Sequence, residues 1–134
     1  MLGHYLMYNR NCAEALDIYS RAFDAEIVEK QTYGDMPPNP AFPIGEEDKE
    51  LVLHARISID NMELQCADAS GGIEAGSNMY VSFTTTDADK AKKAWNILKE
   101  NGHVYMELAP SFFAALHGSL KDKFGVNWMF TLME

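Results

Sequence analysis

The chain is poor in cysteine, poor in positive charge and without a long apolar run, and each shortage removes a class of function. Its two cysteines, Cys12 and Cys66, stand far apart in 134 residues, with no Cys-x-x-Cys pair and no spacing of a disulfide scaffold. Lysine and arginine number 11 against 20 aspartates and glutamates, a formal charge of −9. That balance disfavours nucleic acid as a partner, because phosphate binding draws on clustered cations. Lys90, Lys92, Lys93 and Lys99 do gather, but Asp87, Asp89 and Glu100 beside them make a mixed solvated face. The apolar runs are a handful of residues long, short of the ~20 that cross a bilayer, so no membrane role is expected. The opening Met1-Leu2-Gly3-His4-Tyr5 lacks the basic and apolar regions of a secretory leader, and a protein of the reducing cytoplasm is expected. Glycine-rich phosphate loops and serine elbows are missing too.

What is present suffices for one domain with its own core. Residues 5–9 are a short apolar and aromatic run, and Asn11 followed by Glu14 predicts a capping box and a helix start. From Cys12, the apolar residues Ala15, Leu16, Tyr19, Ala22 and Phe23 recur at the spacing of one buried helical stripe, which ends near Asp24. Residues 26–33 alternate as a partly exposed strand. Residues 34–50 hold four of the five prolines, two glycines and Glu46-Glu47-Asp48, so a mobile loop without regular structure is expected there. That loop is either a lid or an inert acidic excursion. Residues 51–59 and 62–67 flank Asp60-Asn61, a pair suited to a hairpin turn.

Residues 69–77, with Gly71, Gly72 and Gly76, read as a linker, after which the plan begins again. Residues 78–84 alternate as a half-buried strand. A helix follows, capped by Thr86 or Asp87, with Ala88, Ala91, Ala94, Trp95 and Leu98 as its stripe and Gly102 as a left-handed stop. Residues 103–108 form another strand. Gly118 to Met129 then reads as a strand, a tight turn at Asp122 to Gly125 and an almost wholly apolar return strand that lies deep in a sheet. Each half is therefore strand, helix and three strands, in modules 1–68 and 78–134.

The terminal hairpin, together with Asn11-Cys12-Ala13-Glu14-Ala15-Leu16-Asp17-Ile18-Tyr19, Tyr33-Gly34-Asp35-Met36-Pro37 and Leu53-His54-Ala55, resembles the PhnB-like branch of the vicinal-oxygen-chelate superfamily, which includes glyoxalase, bleomycin-resistance and extradiol-dioxygenase proteins. The resemblance spans nearly the whole chain. It implies an α+β fold of two βαβββ modules whose curved sheets enclose a cleft, and a homodimer.

In metal-using relatives the resemblance implies His and Glu ligands on the first and last strands of the modules. Such donors suit a divalent ion with open positions for substrate oxygens. His4, fifteen residues before Tyr19, matches the first position. The second is Asn78, and where relatives place a glutamate on the last strand this chain has Met129. The fourth falls on Glu63 or Gln65. One histidine, one amide, one thioether and one carboxylate are poor donors for a divalent ion, so no metal or other cofactor is expected. His54 matches the family's strand motif and either lines the cleft or is a hydrogen-bonded structural histidine; His54, His103 and His117 share no ligand spacing. Cys12, on the buried stripe at a helix start, is expected to pack rather than react, and nothing basic adjoins Cys66.

Tyr5, Met7, Tyr80, Phe112, Phe113, Trp128, Met129 and Phe130 remain as candidates for an apolar cleft wall or for core. Phe112-Phe113-Ala114 stands where relatives often show Phe-Trp-Gly. The sequence is thus expected to specify a PhnB-like protein binding a small organic molecule in its cleft. The alternative is a metal-dependent isomerase, transferase or dioxygenase using His4 and Glu63. Relatives in this branch have also carried a demethylubiquinone methyltransferase label, for which the chain offers no nucleotide-binding glycine loop.

Overall fold

The computed structural model describes all residues, Met1–Glu134. The element order is β1 (His4–Tyr8), α1 (Cys12–Phe23), β2 (Glu26–Thr32), β3 (Val52–Ile59), β4 (Met62–Asp68), β5 (Val81–Thr85), α2 (Ala88–Leu98), β6 (His103–Ala109), β7 (Leu116–Lys121) and β8 (Asn127–Leu132). Two βαβββ modules follow from it, as the sequence pattern predicts. Met1–Ser20 with Asp24–Ile73 form one compact unit, and Arg21–Phe23 with Glu74–Glu134 form the other.

The first sheet runs β1-β4-β3-β2 and the second β5-β8-β7-β6, the same order displaced by one module. In each, the opening strand lies parallel beside the last, and the remaining pairs are antiparallel. The apolar strand β8 is therefore central and buried, because it has a neighbour on each side and a helix across one face. The Asp60-Asn61 hairpin forms, with Asp60 at a positive φ of 48°. At the second hairpin Gly125 takes φ 93°, and Asp122 Oδ1 accepts from the amides of Phe124 and Val126 at 2.9 and 3.0 Å.

In the first unit Ala15, Leu16 and Tyr19 of α1 are buried on the β-sheet, where the Tyr8 and Tyr19 hydroxyls stand 3.0 Å apart. In the second, Trp95 of α2 meets Phe130 edge-on at 5.5 Å, and Phe23 at the end of α1 packs on Phe83 and Trp128.

Four local expectations are corrected. Asn11 makes no side-chain cap, and its Oδ1 is buried without a partner. The first amide of α1, on Cys12, is instead satisfied by Asp68 Oδ1 at 2.9 Å, a residue far along the chain. Loop 34–50 is not wholly irregular: Tyr33–Asp35 and Glu46–Asp48 are 3-10 turns, the first closed by Asp35 on the Thr32 amide at 2.8 Å. The strand expected from residue 78 begins only at Val81, because the Met79 carbonyl accepts from Asn127 Nδ2 at 3.0 Å rather than entering a ladder. The left-handed residue after α2 is Asn101, φ 58°, not Gly102.

Gly102 is needed for a different reason. A Cβ there would lie 2.3 Å from the Lys121 carbonyl oxygen and 3.2 Å from Asp122 Cα. Both are backbone atoms at the β7 turn and cannot rotate aside. Gly102→Ala is expected to cost about 2 kcal/mol or more, read as a lowered urea midpoint with unchanged slope. A midpoint equal to the parent's would contradict this close approach. The cap of α2 is Asp87, whose Oδ1 accepts from the Lys90 amide at 3.1 Å.

Candidate functional site

Strand alternation sorts the candidate residues between two faces of each sheet. In the first sheet Tyr8, Cys66 and Asp68 meet α1, so their face is the covered one. His4 lies in register with Leu64 on this face. The opposite face carries Tyr5 beside Gln65, Arg56 beside Gln65, Glu29 beside Arg56 and Gln31 beside His54. Glu63, one residue from Leu64, belongs to that opposite face. His4 and Glu63 therefore project from opposite sides of one sheet, and the ligand pair of the enzyme alternative is not brought together.

On the uncovered face the Tyr5 hydroxyl is 3.0 Å from His54 Nδ1, with the rings 5.7 Å apart. Burial above all, then the neighbouring Cys66, pushes the Tyr5 phenol above its ordinary pKa. Arg56 sits between two carboxylates, donating from Nε to Glu29 at 2.7 Å and from Nη1 to Glu63 at 2.8 Å. The hydrogen bond to Glu29, then that to Glu63, raises its pKa further. One cation between two anions leaves this face acidic, and Glu63 is committed to Arg56. The sequence could have hinted at the trio, since the hairpin register alone sets Arg56 near Glu63; it carried no comparable signal for Glu29.

In the second sheet the face away from α2 carries Ser82, Met129, Ser119 and Met106 in one row and Thr84, Thr131 and His117 in the next. His117 Nδ1 lies 3.1 Å from Thr131 Oγ1, and Phe113 packs edge-on against His117 at 4.8 Å. Tyr80 packs on Tyr105, whose hydroxyl donates to Asn127 at 2.8 Å. Asn78 is exposed and off the strand, and Trp128 and Phe130 are core rather than wall.

No three histidine, cysteine, aspartate or glutamate side chains converge where they could hold an ion. With Glu63 engaged, His4 on the covered face and an amide and a thioether elsewhere, the donors present do not fit a divalent metal.

A hollow lies in the first unit, within loop 34–50. The neck of this loop is zipped by Tyr33 N to Leu51 O at 2.9 Å and Gly34 N to Lys49 O at 3.0 Å, so it stands as a closed excursion. The hollow is half open, with a volume of about 730 Å³, and is lined by Tyr33, Met36, Pro37, Pro38, Asn39, Ala41, Phe42, Pro43, Ile44, Asp48 and Ser70. Much of its polar lining is already engaged. The Tyr33 hydroxyl donates to the Asp68 carbonyl at 2.7 Å, Asp48 pairs with Arg10 at 2.8 Å, and Asn39 Oδ1 accepts from the Ala41 amide. Burial, then Asp68, pushes the Tyr33 phenol up, which keeps that donor protonated. The chemistry on offer is apolar contact, with a polar edge at Ser70.

Over residues 2–131 the sequence matches the family described as 3-demethylubiquinone-9 3-methyltransferase. The chain belongs to this family. It is a PhnB-like member of the vicinal-oxygen-chelate superfamily. Protein YjdN of Escherichia coli (strain K12) is 28% identical, covering 99% of this chain and 95% of its own. The structure of PA1353 from Pseudomonas aeruginosa is 28% identical with TM-score 0.86, over 99% and 97% of the two chains. The putative 3-demethylubiquinone-9 3-methyltransferase, PhnB protein, from Bacillus cereus is 25% identical with TM-score 0.77, over 98% of each. The fold alone extends to the fosfomycin resistance protein FosX from Listeria monocytogenes, 9% identical with TM-score 0.64 over 100% and 93%, a structure complexed with Mn(II) and 1S,2S-dihydroxypropylphosphonic acid. The fold is thus that of the glyoxalase and bleomycin-resistance proteins, as the sequence motifs imply.

Proposed function

We propose that this PhnB-like protein binds a small, largely apolar organic molecule in the hollow within loop 34–50. The single observation that carries the reading is that hollow, about 730 Å³ in volume and walled by prolines, Met36, Phe42 and Ile44, within the size and character of ligand pockets in general. Residues 34–50 supply most of its wall. An anionic ligand such as a phosphonate is not favoured, because Arg10 is paired with Asp48 and Arg56 with Glu29 and Glu63. Methyl transfer is not part of the reading: β1 passes to α1 through Asn9-Arg10-Asn11 and β5 to α2 through Thr86-Asp87, without the glycine turn that cradles a nucleotide cofactor.

Thermal melting against a panel of neutral aromatic and aliphatic metabolites, with and without divalent ions, tests the reading. At least one compound is expected to raise the melting temperature of the parent, and Phe42→Ala is expected to abolish that rise while leaving the unliganded melting temperature unchanged. A panel without effect in any condition sinks it.

The working form is proposed to be a homodimer in the cytoplasm. Support for pairing comes from the outer strands β1 and β2 of one sheet and β5 and β6 of the other, which present backbone donors and acceptors. Sedimentation at micromolar concentration is expected to give twice the 15.0 kDa chain mass; a 15.0 kDa species alone would remove the dimer.

A further inference from the structure

Cys12 and Cys66 are 0% exposed, yet the fold brings them side by side. Asp68 accepts from the Cys12 amide at 2.9 Å and stands two residues beyond Cys66 on the same face of β4, which seats the first turn of α1 directly over Cys66. The two thiols lie close enough to shift each other's titration. The Tyr8 hydroxyl, near the same Cys66 thiol, donates to that of Tyr19 at 3.0 Å. Both thiols thus sit in one buried polar cluster at the start of α1. The second module fills the matching places with Ala88 and Phe130, so packing alone does not call for a dithiol there.

We propose that Cys12 and Cys66 are a peroxide-oxidisable dithiol that closes to a disulfide joining the start of α1 to β4. Cys66 is the attacking group. The contact with Cys12, against the opposing pull of burial, favours its thiolate, whereas the contact with Cys66, then burial, pushes the Cys12 thiol up. Hydrogen peroxide is about the size of water and enters when the helix start opens locally. The Cys66 thiolate attacks one peroxide oxygen, an S–O bond forms, the O–O bond breaks, and the departing hydroxide takes the proton released when Cys66 ionised and leaves as water. The Cys12 sulfur then attacks the sulfenic acid, the S–S bond forms, the S–O bond breaks, and the Cys12 proton leaves with hydroxide as a second water. Two thiols lose two electrons to one peroxide. The inference does not rest on the ligand hollow, although Asp68 links the pair to Tyr33 at its wall.

The test is peroxide treatment of the reduced, folded full chain, followed by denaturation and alkylation with N-ethylmaleimide. The parent is expected to lose both adducts, to weigh two hydrogens less and to yield a peptide linking Cys12 to Cys66, with dithiothreitol restoring both adducts. Cys12→Ser is expected to leave a sulfenic acid on Cys66 that dimedone traps. Peptide mapping of the parent needs no substitution, so the outcome stands even if the variant does not fold. Two adducts retained after peroxide, or a link formed only between separate chains, overturns the proposal.

Discussion

Trp128→Ala is expected to lower stability by about 3–5 kcal/mol, a large share of the ~5–15 kcal/mol typical of a domain. Trp128 is 1% exposed, its ring centroid lies 5.3 Å from Phe23 and 6.4 Å from Phe130, and its Nε1 donates to Asp122 Oδ2 at 2.9 Å. Truncation therefore opens a cavity at the centre of the second sheet and leaves a carboxylate oxygen at the Asp122 turn without that partner. Both losses fall on the same hairpin, since Asp122 also holds the Phe124 and Val126 amides. Urea denaturation measures the effect. A useful contrast is Phe112→Ala, at a side chain that is fully exposed, expected to change stability by no more than about 0.5 kcal/mol. Comparable losses for the two variants would mean that the aromatic cluster is not the core.

The second large effect is expected at Asp68. Its two oxygens accept from the Cys12 amide at 2.9 Å and the Val52 amide at 2.8 Å, and its carbonyl accepts from Tyr33. Asp68→Ala strands two buried donors, at the start of α1 and the start of β3, for a loss on the order of 3 kcal/mol. Asp68→Asn is expected to rescue little, because one oxygen becomes an amide that points a donor at a donor. Hydrogen exchange should show the Cys12 and Val52 amides losing protection first. Retained protection at both in Asp68→Ala would show that water or another group replaces the carboxylate. The matching residue of the second module is Leu132, where no such role exists because α2 is capped by its own Asp87. The two modules share a strand order but cap their helices by different means.

That difference shows where the sequence is legible. Asp87 caps from the adjoining position, so a local reading finds it. The Asn11 and Glu14 pattern is just as local, yet the cap fails, because Cys12 is served by a carboxylate from the last strand of its module. The stop after α2 teaches the same lesson: Asn101 supplies the left-handed turn, and Gly102 is required by a strand that approaches from residue 121. The apolar stripes of both helices, the Asp60-Asn61 and Asp122 to Gly125 turns and the repeat of strand, helix and three strands all have local periods or turn chemistry, and all were readable. The PhnB-like motifs were readable for the same reason, being contiguous.

The candidate site divides along this line. The family resemblance pointed to His4, His54, Glu63, Asn78 and Met129 and the aromatic inventory to Tyr80 and Phe113, but neither says which residue lies opposite which. Only the strand register sets His54 against Tyr5, commits Glu63 to Arg56 and turns His4 to the other face, and only the packing of α1 on its sheet brings Cys12 to Asp68. Local sequence determined the elements, the twofold plan and the family, because helix and strand periods are written within a few residues. Tertiary structure alone decided the partners, because a one-residue shift in pairing between distant strands sends every side chain to the opposite face.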